Sequence, residues 1–309
     1  MKKKIAILGS TGSIGRTTLD IIKRNKKDFQ IILLSTNKNI KDIVKQSREF
    51  NVKSIIVSSN YHFQKLKKKN RNKSLKIYNS FDSLKKILIK KIDYSMCAIS
   101  GIEGLKPTFD IIKFTKNIGI ANKESIICGW SLIKKEIKKN HTNFIPIDSE
   151  HFSIWSLVRN DIHKIDQIVL TASGGPFLNK SKKFIDRAKP KDALDHPNWS
   201  MGRKISVDSA TMMNKVFELI EAKKIFNLNQ KKFKILVHPK SYIHAIVKYE
   251  NGLIKMLAHD TNMNIPIFNF LYHDRSNKIK SNPINLSLLN NLSLFKPSIK
   301  KFPSLKVLN

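Results

Sequence analysis

The first half of the 309-residue chain alternates short apolar, β-branched runs with longer amphipathic stretches, and this alternation restricts the fold more than any other feature. The apolar runs predict strands, and the stretches between them, which include 14–24, 40–50 and 124–139, predict helices. A repeated strand–helix–strand order predicts an α/β fold with a doubly wound, Rossmann-like parallel sheet. The predicted strands are 5–8, 30–34, 54–57, 96–99, 118–121 and 144–147.

The pattern changes after residue 147. One helix is predicted at about 210–224, and the pair Asn251-Gly252 predicts a hairpin turn. We therefore expect an antiparallel sheet with one helix, which is an α+β domain. The long polar segment 179–203 has no clear period and is typical of a loop over a site. The strands predicted in this half are 167–171, 233–237, 242–249 and 252–258.

These changes predict two domains followed by a linker. The length of the chain suits roughly two domains with a substantial core. The Rossmann-like domain is predicted over 1–147 and the α+β domain over 148–273. Residues 274–309 are rich in Asn, Ser, Pro and Lys, and this composition predicts a linker.

A glycine-rich loop joins the first predicted strand to the first predicted helix. Residues 9–15 read GSTGSIG, with the spacing G-x-x-G-x-x-G. Glycines let the backbone approach a pyrophosphate, and the helix N-terminus supplies N–H groups and the positive end of the helix dipole. The loop predicts a dinucleotide site, and an ordinary glycine-rich turn is the alternative.

The end of the second predicted strand bears on which dinucleotide is bound. NAD-binding folds usually carry an acidic residue there for the ribose 2′-hydroxyl. Residues 35–39 read STNKN and contain no acid, and Lys38 could pair with a 2′-phosphate. This favours NADPH over NADH. The alternative is that Lys38 is an ordinary surface lysine.

Three carboxylates in two runs predict a metal site. Asp148 and Glu150 follow an apolar strand-like run, where alternation would turn both side chains to one side. Asn214 and Glu218 lie four apart in a predicted helix and share a face. Carboxylate and amide oxygens suit a hard cation such as Mg²⁺ or Mn²⁺. In the alternative interpretation Asp148 caps a turn and Glu218 is a solvated helix residue.

The formal net charge of +35 raises the hypothesis of a nucleic-acid-binding protein. However, the lysines are spread along the whole chain together with many Asn and Ile residues, as codon bias in an AT-rich genome would produce. Few aromatic residues lie among the lysine runs, so no stacking platform is indicated and no specific nucleic acid is expected. Such a charge would still attract an anionic substrate.

Cysteine content and hydropathy predict the cellular location of the protein. Cys97 and Cys128 are far apart in the sequence and have no metal-like spacing, so we expect a reduced, cytoplasmic location. The basic N-terminus is followed by an apolar run of four residues, which is too short for a signal peptide. No stretch approaches the length of a membrane span, and no membrane partner is expected.

Several runs together resemble one family, 1-deoxy-D-xylulose 5-phosphate reductoisomerase of the non-mevalonate isoprenoid pathway. The most specific is 196–214, HPNWSMGRKISVDSATMMN. The others are GSTGSIG at 9–15, ANKES at 121–125, PIDSEH at 146–151, LTASGGPF at 170–177 and VHPKS at 237–241. The resemblance runs from residue 1 nearly to residue 309.

The resemblance implies conversion of 1-deoxy-D-xylulose 5-phosphate to 2-C-methyl-D-erythritol 4-phosphate. The family needs NADPH and a divalent metal, Mg²⁺ or Mn²⁺ with Co²⁺ as a third candidate. The metal chelates the ketone and the adjacent hydroxyl of the substrate while the carbon skeleton rearranges, usually drawn as retro-aldol then aldol, and NADPH reduces the resulting aldehyde. A homodimer formed through the catalytic domains is also implied.

The same resemblance assigns residues to each part of the site. The implied catalytic residues are Lys123, Asp148, Glu150 and Glu218, of which the last three bind the metal. The implied substrate-binding residues are Lys123, Ser149, Glu150, Ser173, His196, Trp199, Met201, Ser209, Asn214 and Lys215. The implied NADPH-binding residues are Thr11, Gly12, Ser13, Ile14, Lys38, Asn39, Asn122, Glu124 and Gly202.

The chain also departs from the family pattern. Members of the family continue into a C-terminal helical domain, which we expect this chain to lack. Asn37 stands where Gly is usual, and Phe217 directly precedes the predicted ligand Glu218. These departures keep open a decayed enzyme that binds NADPH with little turnover. The nucleic-acid-binding protein is the more remote alternative.

Overall fold

A computed structural model describes residues 1–161, 163–199 and 202–308. The chain forms two compact units. One contains Met1–Ile147 together with Ile267–Arg275, and the rest of the described chain forms the other. Nowhere in the described ranges is a helix long and apolar enough to cross a membrane.

The first unit is built on a seven-stranded sheet in the order β4-β3-β2-β1-β5-β6-β7, with every neighbouring pair parallel. The order reverses between β1 and β5, as in doubly wound folds. The predicted Rossmann-like sheet is confirmed. The strands are β1 (Lys3–Leu8), β2 (Phe29–Thr36), β3 (Ser54–Val57), β4 (Lys76–Tyr78), β5 (Ile92–Cys97), β6 (Thr115–Ile120) and β7 (Asn143–Pro146).

Helices connect these strands, since parallel neighbours need crossover connections. The apolar run 5–8 of β1 is fully buried, which explains its continuous rather than alternating hydrophobicity. The helices of this part are α1 (Ser13–Arg24), α2 (Ile40–Glu49), α3 (Asn60–Lys69), α4 (Leu84–Ile87), α5 (Leu105–Ile111) and α6 (Lys123–Lys139). Single 3₁₀ turns lie at Phe81–Ser83, Ile102–Gly104 and Ile112–Phe114.

Residues 267–275 belong to the first unit although they follow the second along the chain. The rings of Phe270 and Tyr272 each pack edge-on at 5.4 Å, against Tyr94 and Phe29 respectively. The Tyr272 hydroxyl also donates a 2.7 Å hydrogen bond to Asp28. The observed units therefore differ from the predicted boundary at 273, because these aromatic side chains pack against residues of β2 and β5.

The second unit contains a four-stranded sheet in the order β11-β10-β8-β9. β10 is antiparallel to β8 and β11, whereas β8 and β9 are parallel, so the sheet is mixed and the expectation of an antiparallel sheet is wrong. The reason is the long crossover between β8 and β9, which carries several helices. The strands are β8 (Ile165–Ala172), β9 (Phe233–Val237), β10 (Ile243–Tyr249) and β11 (Ile254–Ala258).

The helices of this part are more numerous than the single one expected. They are α7 (Ser149–Val158), α8 (Lys182–Ile185), α9 (Pro190–Leu194), α10 (Arg203–Ala210), α11 (Met213–Phe226) and α13 (Leu286–Asn290), with 3₁₀ turns at Gln230–Lys232 and Pro303–Leu308. A further helix, α12 (Asn264–Leu271), begins in this unit and belongs to the first unit from Ile267 onward. The polar segment 179–203 contains α8 and α9, which are too short to show a period. The β10–β11 turn lies at Asn251-Gly252, where Gly252 has φ +89°.

Candidate active site

The N-terminus of α7 brings Asp148 and Glu150 together. β7 ends at Pro146, and Asp148 is the N-cap of α7, where its Oδ1 accepts a 3.3 Å hydrogen bond from the Glu150 backbone N–H. The strand alternation used to predict this proximity is therefore wrong. Helix capping turns both carboxylates to one place, so Asp148 is a cap and a candidate ligand at once.

Glu218 reaches the same place from α11. This helix begins after Met212, whose φ of 61° turns the chain sharply between α10 and α11. Asn214 Nδ2 donates a 2.5 Å hydrogen bond to Glu218 Oε1, as the predicted four-residue spacing allows. One oxygen from each of Asp148, Glu150 and Glu218 lies within 4.8 Å of the other two.

Lys215 is the cation of this cluster. Its Nζ donates at 2.6 Å to Glu150 Oε1 and also to Glu218 Oε2. Burial alone would lower the pKa of Lys215, but the charges of Glu150 and Glu218 outweigh it and raise the pKa. Lys215 was expected to bind the substrate phosphate, whereas in this structure its ammonium is bonded to carboxylates.

The donor set fits a divalent cation. When ionised, the three carboxylates and one ammonium carry a net charge of −2, and Glu218 is 1% exposed. Buried negative charge is costly unless it is balanced. Because all three acidic donors are oxygens, the set suits a hard ion of the Mg²⁺ or Mn²⁺ type.

Ser149 and three histidines surround the cluster. Ser149 Oγ donates to Glu150 Oε2 at 2.5 Å. His151 is buried, with Nε2 2.8 Å from the Glu218 carbonyl oxygen and Nδ1 3.5 Å from Asp148 Oδ1. The rings of His244 and His259 stack at 3.7 Å. The three histidines are absent from the predicted site, and the only sequence signal for His244 was a polar residue within the apolar strand β10.

The loop after β8 contributes a Ser–His pair. Ser173 Oγ lies 3.0 Å from His196 Nε2, and His196 Nδ1 accepts hydrogen bonds from the backbone N–H groups of Asn198 and Trp199. With Nδ1 accepting, the proton of the neutral ring is on Nε2, which can donate. Burial lowers the pKa of His196, which favours this neutral form at neutral pH.

Three predicted substrate residues, Trp199, Met201 and Ser209, remain to be located, together with the predicted cofactor residue Gly202. The Trp199 ring packs edge-on against His244 at 5.9 Å. Ser209 lies in the last turn of α10, close to Gly175, where a Cβ would come within 2.5 Å of the Ser209 carbonyl oxygen. Gly202 is the exposed N-cap of α10. Met201 lies outside the residues that the structure describes.

The glycine-rich loop has the geometry of a phosphate cradle. Gly9 has φ +84°, and a Cβ on Gly15 would lie 2.4 Å from the Gly9 carbonyl oxygen. Gly12 is the N-cap of α1, so no cap side chain covers the N–H groups of the first turn, which includes Ser13 and Ile14. These features fit the pyrophosphate of a dinucleotide. Thr11 Oγ1 lies 2.8 Å from Thr36 Oγ1 and ties the loop to the end of β2.

Two of the predicted NADPH-binding residues, Asn39 and Asn122, cap helices with their side chains. Asn39 caps α2 by accepting a hydrogen bond from the Asp42 backbone N–H. Asn122 is buried and caps α6, and its amide donates to the Ile99 and Gly101 carbonyl oxygens. Lys38 is exposed beside Asn39. Lys123 and Glu124 begin α6, where backbone N–H groups of the first turn point outward.

Comparisons with known proteins match the chain to one enzyme family. The family model described as 1-deoxy-D-xylulose 5-phosphate reductoisomerase matches residues 5–129, and the model described as the C-terminal domain of that enzyme matches residues 144–226. The chain is 61% identical to the 1-deoxy-D-xylulose 5-phosphate reductoisomerase of Pelagibacter ubique over 99% of this chain and 80% of the relative.

Solved structures agree. The Zymomonas mobilis reductoisomerase in complex with NADPH aligns with a TM-score of 0.89 and 34% identity, over 100% of this chain and 80% of that one. A reductoisomerase in complex with NADPH, fosmidomycin and magnesium aligns with a TM-score of 0.90 and 36% identity, over 99% of this chain and 78% of that one.

One expectation is corrected by these matches. The chain was expected to lack the C-terminal domain of the family. However, the family model described as the C-terminal domain of the reductoisomerase matches residues 144–226. This match runs from β7 through α11 and contains the carboxylate cluster. The chain belongs to the 1-deoxy-D-xylulose 5-phosphate reductoisomerase family.

Proposed function

We propose that the chain converts 1-deoxy-D-xylulose 5-phosphate to 2-C-methyl-D-erythritol 4-phosphate with NADPH and a divalent cation. The observation that carries the proposal is the convergence of Asp148, Glu150 and Glu218 within 4.8 Å in a member of this family. The decayed enzyme and the nucleic-acid-binding protein are not favoured by the comparisons.

Asp148, Glu150 and Glu218 would hold the cation. When bound, the cation supplies the Lewis acidity that polarises the ketone and the adjacent hydroxyl of the substrate. The capping bond at Asp148 and the Asn214 amide on Glu218 hold these carboxylates in fixed orientations, which lowers the cost of organising the site. Ser149 orients Glu150, and with Lys123 it is proposed to contact the polar backbone of the substrate.

The substrate phosphate is proposed to lie among Ser173, His196, Ser209, Asn214 and Lys215. His196 suits this role because its neutral Nε2–H is a donor fixed by two backbone bonds to Nδ1. The Lys215 ammonium donates to Glu150 and Glu218 and has a third N–H, which can be donated to a phosphate oxygen. Trp199 and Met201 are proposed to belong to a loop that covers the substrate and excludes water.

When bound, NADPH would supply the hydride for reduction of the aldehyde. The cradle at residues 9–15 is proposed to bind its pyrophosphate, with Thr11, Gly12, Ser13 and Ile14 as contacts. The remaining residues proposed for this cofactor are Lys38, Asn39, Asn122, Glu124 and Gly202.

Assembly and location are also proposals. Residues 1–147 would bind NADPH, 148–273 would carry catalysis and dimerisation, and 274–309 would act as a linker. A homodimer is supported by the edge strand β11, where Ile254 and Met256 are 59% and 52% exposed, since unpaired apolar edges favour pairing with another chain. The free thiols of Cys97 and Cys128 support a cytoplasmic location.

The proposal is tested by NADPH oxidation. The purified chain is given 1-deoxy-D-xylulose 5-phosphate with Mg²⁺ or Mn²⁺, and absorbance of NADPH is followed with and without a chelator. We expect oxidation that needs both substrate and metal. NADPH binding without any oxidation would contradict the proposed activity.

A further inference from the structure

Arg16 lies beside the glycine-rich loop and was not among the predicted cofactor residues. It is in the first turns of α1, and its side chain is 56% exposed. We propose that Arg16 determines the preference for NADPH over NADH by binding the ribose 2′-phosphate. This inference rests on the proposed function and names a contact within it.

The guanidinium of Arg16 is held between two elements of the dinucleotide fold. Its Nε donates at 3.0 Å to the Thr11 carbonyl oxygen in the loop, and its Nη2 donates at 2.7 Å to Asp42 Oδ2 on α2. Thr11 is itself joined to Thr36 at the end of β2. The guanidinium therefore joins the loop to the first turn of α2, which follows the end of β2, and the end of this strand is where these folds bind the adenosine ribose.

Two bonds engage two of the five N–H donors of an arginine. The side chain is oriented by these bonds, and its exposed remainder can donate to a further anion. A planar guanidinium is well matched to phosphate oxygens, and a fixed one loses less conformational entropy on binding. The neighbouring Lys38 is exposed and adds positive charge at the same strand end.

The carboxylate of Asp42 bears on the proposed role of Arg16 in cofactor preference. A carboxylate near the ribose normally favours NADH, because it accepts from the 2′-hydroxyl and repels a 2′-phosphate. Here Asp42 Oδ2 accepts from both Arg16 and Asn39 Nδ2, at 2.7 and 2.8 Å. Its negative charge is thus balanced by Arg16, so the same ion pair that orients the guanidinium reduces the repulsion of a 2′-phosphate.

The test is direct cofactor binding, without substrate or metal. Dissociation constants for NADPH and for NADH are measured by cofactor fluorescence for the wild type, Arg16→Met and Arg16→Lys. Arg24→Met is the matched control, because Arg24 is an exposed arginine in the last turn of the same helix. Thermal unfolding of each variant shows that the chain is folded.

In Arg16→Met we expect NADPH binding to weaken by about 10- to 100-fold, because hydrogen bonds to a charged group are lost. NADH has no 2′-phosphate, so its binding should change by less than about twofold. Arg16→Lys keeps the charge but not the fork and should give an intermediate loss. Arg24→Met should bind both cofactors like the wild type.

Equal weakening of both cofactors in Arg16→Met, or no weakening of either, would overturn the inference while leaving the proposed function intact. If Arg16→Met fails to fold, an NADPH affinity of Arg16→Lys equal to that of the wild type would overturn it. Failure of the wild type to bind NADPH would contradict both the proposed function and the inference. A loss in Arg24→Met equal to that in Arg16→Met would show that only the general positive charge matters, which also overturns it.

Discussion

Individual side chains in the carboxylate cluster have two structural roles each. Asp148 caps α7 and is a candidate ligand, and Lys215 forms ion pairs with Glu150 and Glu218 and is also among the proposed phosphate-binding residues. The family resemblance predicted that the three acids come together, whereas the strand alternation assumed for Asp148 and Glu150 was wrong because these residues begin a helix. It could not show the capping bond or the Lys215 contacts, since both depend on side chains brought together by the fold.

Asp148→Asn separates these roles. Asparagine caps a helix as well as aspartate does, so we expect the free energy of unfolding to change by less than about 1 kcal/mol. The loss of a charged ligand should weaken Mn²⁺ binding by at least about 10- to 100-fold, since even residues that only support a ligand have effects of that size. Mn²⁺ titration followed by electron paramagnetic resonance measures the affinity for Mn²⁺, and urea unfolding measures the stability. Unchanged Mn²⁺ affinity would remove Asp148 from the metal site.

His244 gives a pH dependence to stability. Burial, and then the neighbouring His259, lowers the pKa of His244 well below its ordinary value of 6.5. Below about pH 6.5 the unfolded chain therefore binds a proton that the folded chain does not, and stability falls as the pH decreases toward the folded-state pKa. One such group contributes a slope of up to about 1.4 kcal/mol per pH unit.

His244→Gln should reduce this slope between pH 6.5 and the acid limit of folding, measured by urea unfolding at a series of pH values. His163→Gln, at an exposed histidine, is the control and should keep the slope of the wild type. A slope identical in His244→Gln and the wild type would contradict the assignment.

At the scale of elements, the sequence predicted six of the seven strands of the first sheet from short apolar runs, although the run at 96–99 overlaps β5 (Ile92–Cys97) only at its last two residues. β4 has three residues and α3 is rich in lysine, so neither shows a period long enough to predict. The parallel pairing of β8 with β9 was also beyond prediction. The crossover between them holds α8, α9, α10 and α11. A helix near α11 was predicted, but the segment before it was interpreted as a loop, so the return of the chain in the same direction was not recognised.

The glycine-rich loop and α1 form one close-packed element. In Gly15→Ala the new Cβ would meet backbone atoms, 2.4 Å from the Gly9 carbonyl oxygen and 2.5 Å from the Ser10 Cα. Since backbone cannot move aside cheaply, we expect a loss of about 1–3 kcal/mol in unfolding free energy together with weakened NADPH binding. Urea unfolding and cofactor fluorescence measure the two effects.

Gly202→Ala is the control for this prediction. A Cβ on Gly202 would meet nothing within 4 Å, so the stability should change by less than about 1 kcal/mol. Equal losses of stability at the two positions would show that the close backbone contacts at Gly15 do not affect the unfolding free energy.

At the scale of the whole molecule, the +35 charge is the least specific feature of the chain. If it reflects codon bias, binding to duplex DNA should be weak and without saturation at physiological salt. A nucleic-acid-binding protein that contacts 6–10 phosphates would instead lose roughly 10³- to 10⁵-fold in affinity between about 50 and 200 mM salt. Fluorescence anisotropy with labelled DNA distinguishes these results, and tight saturable binding with such a steep salt dependence would contradict our account.

The sequence also predicted the whole-molecule division near residue 147, where the strand–helix alternation stops. It did not predict that 267–275 join the first unit, because aromatic residues such as Phe270 and Tyr272 give no sign of which core they complete. Arg16 illustrates the same limit for the site. A single arginine in a lysine-rich chain carries no pattern until its contacts are known.

Three converging carboxylates, of which Glu218 is buried and Asp148 and Glu150 are partly buried, carry the proposal of a metal-dependent reductoisomerase. The most direct measurement is the rate of NADPH oxidation with 1-deoxy-D-xylulose 5-phosphate and Mn²⁺ for the wild type, Glu218→Gln and the control Glu250→Gln. Glu218 is 1% exposed within the cluster, whereas Glu250 is exposed. We predict that the wild type and Glu250→Gln turn over at similar rates, and that Glu218→Gln binds NADPH but does not turn over. Turnover by Glu218→Gln at the rate of the wild type would contradict the account.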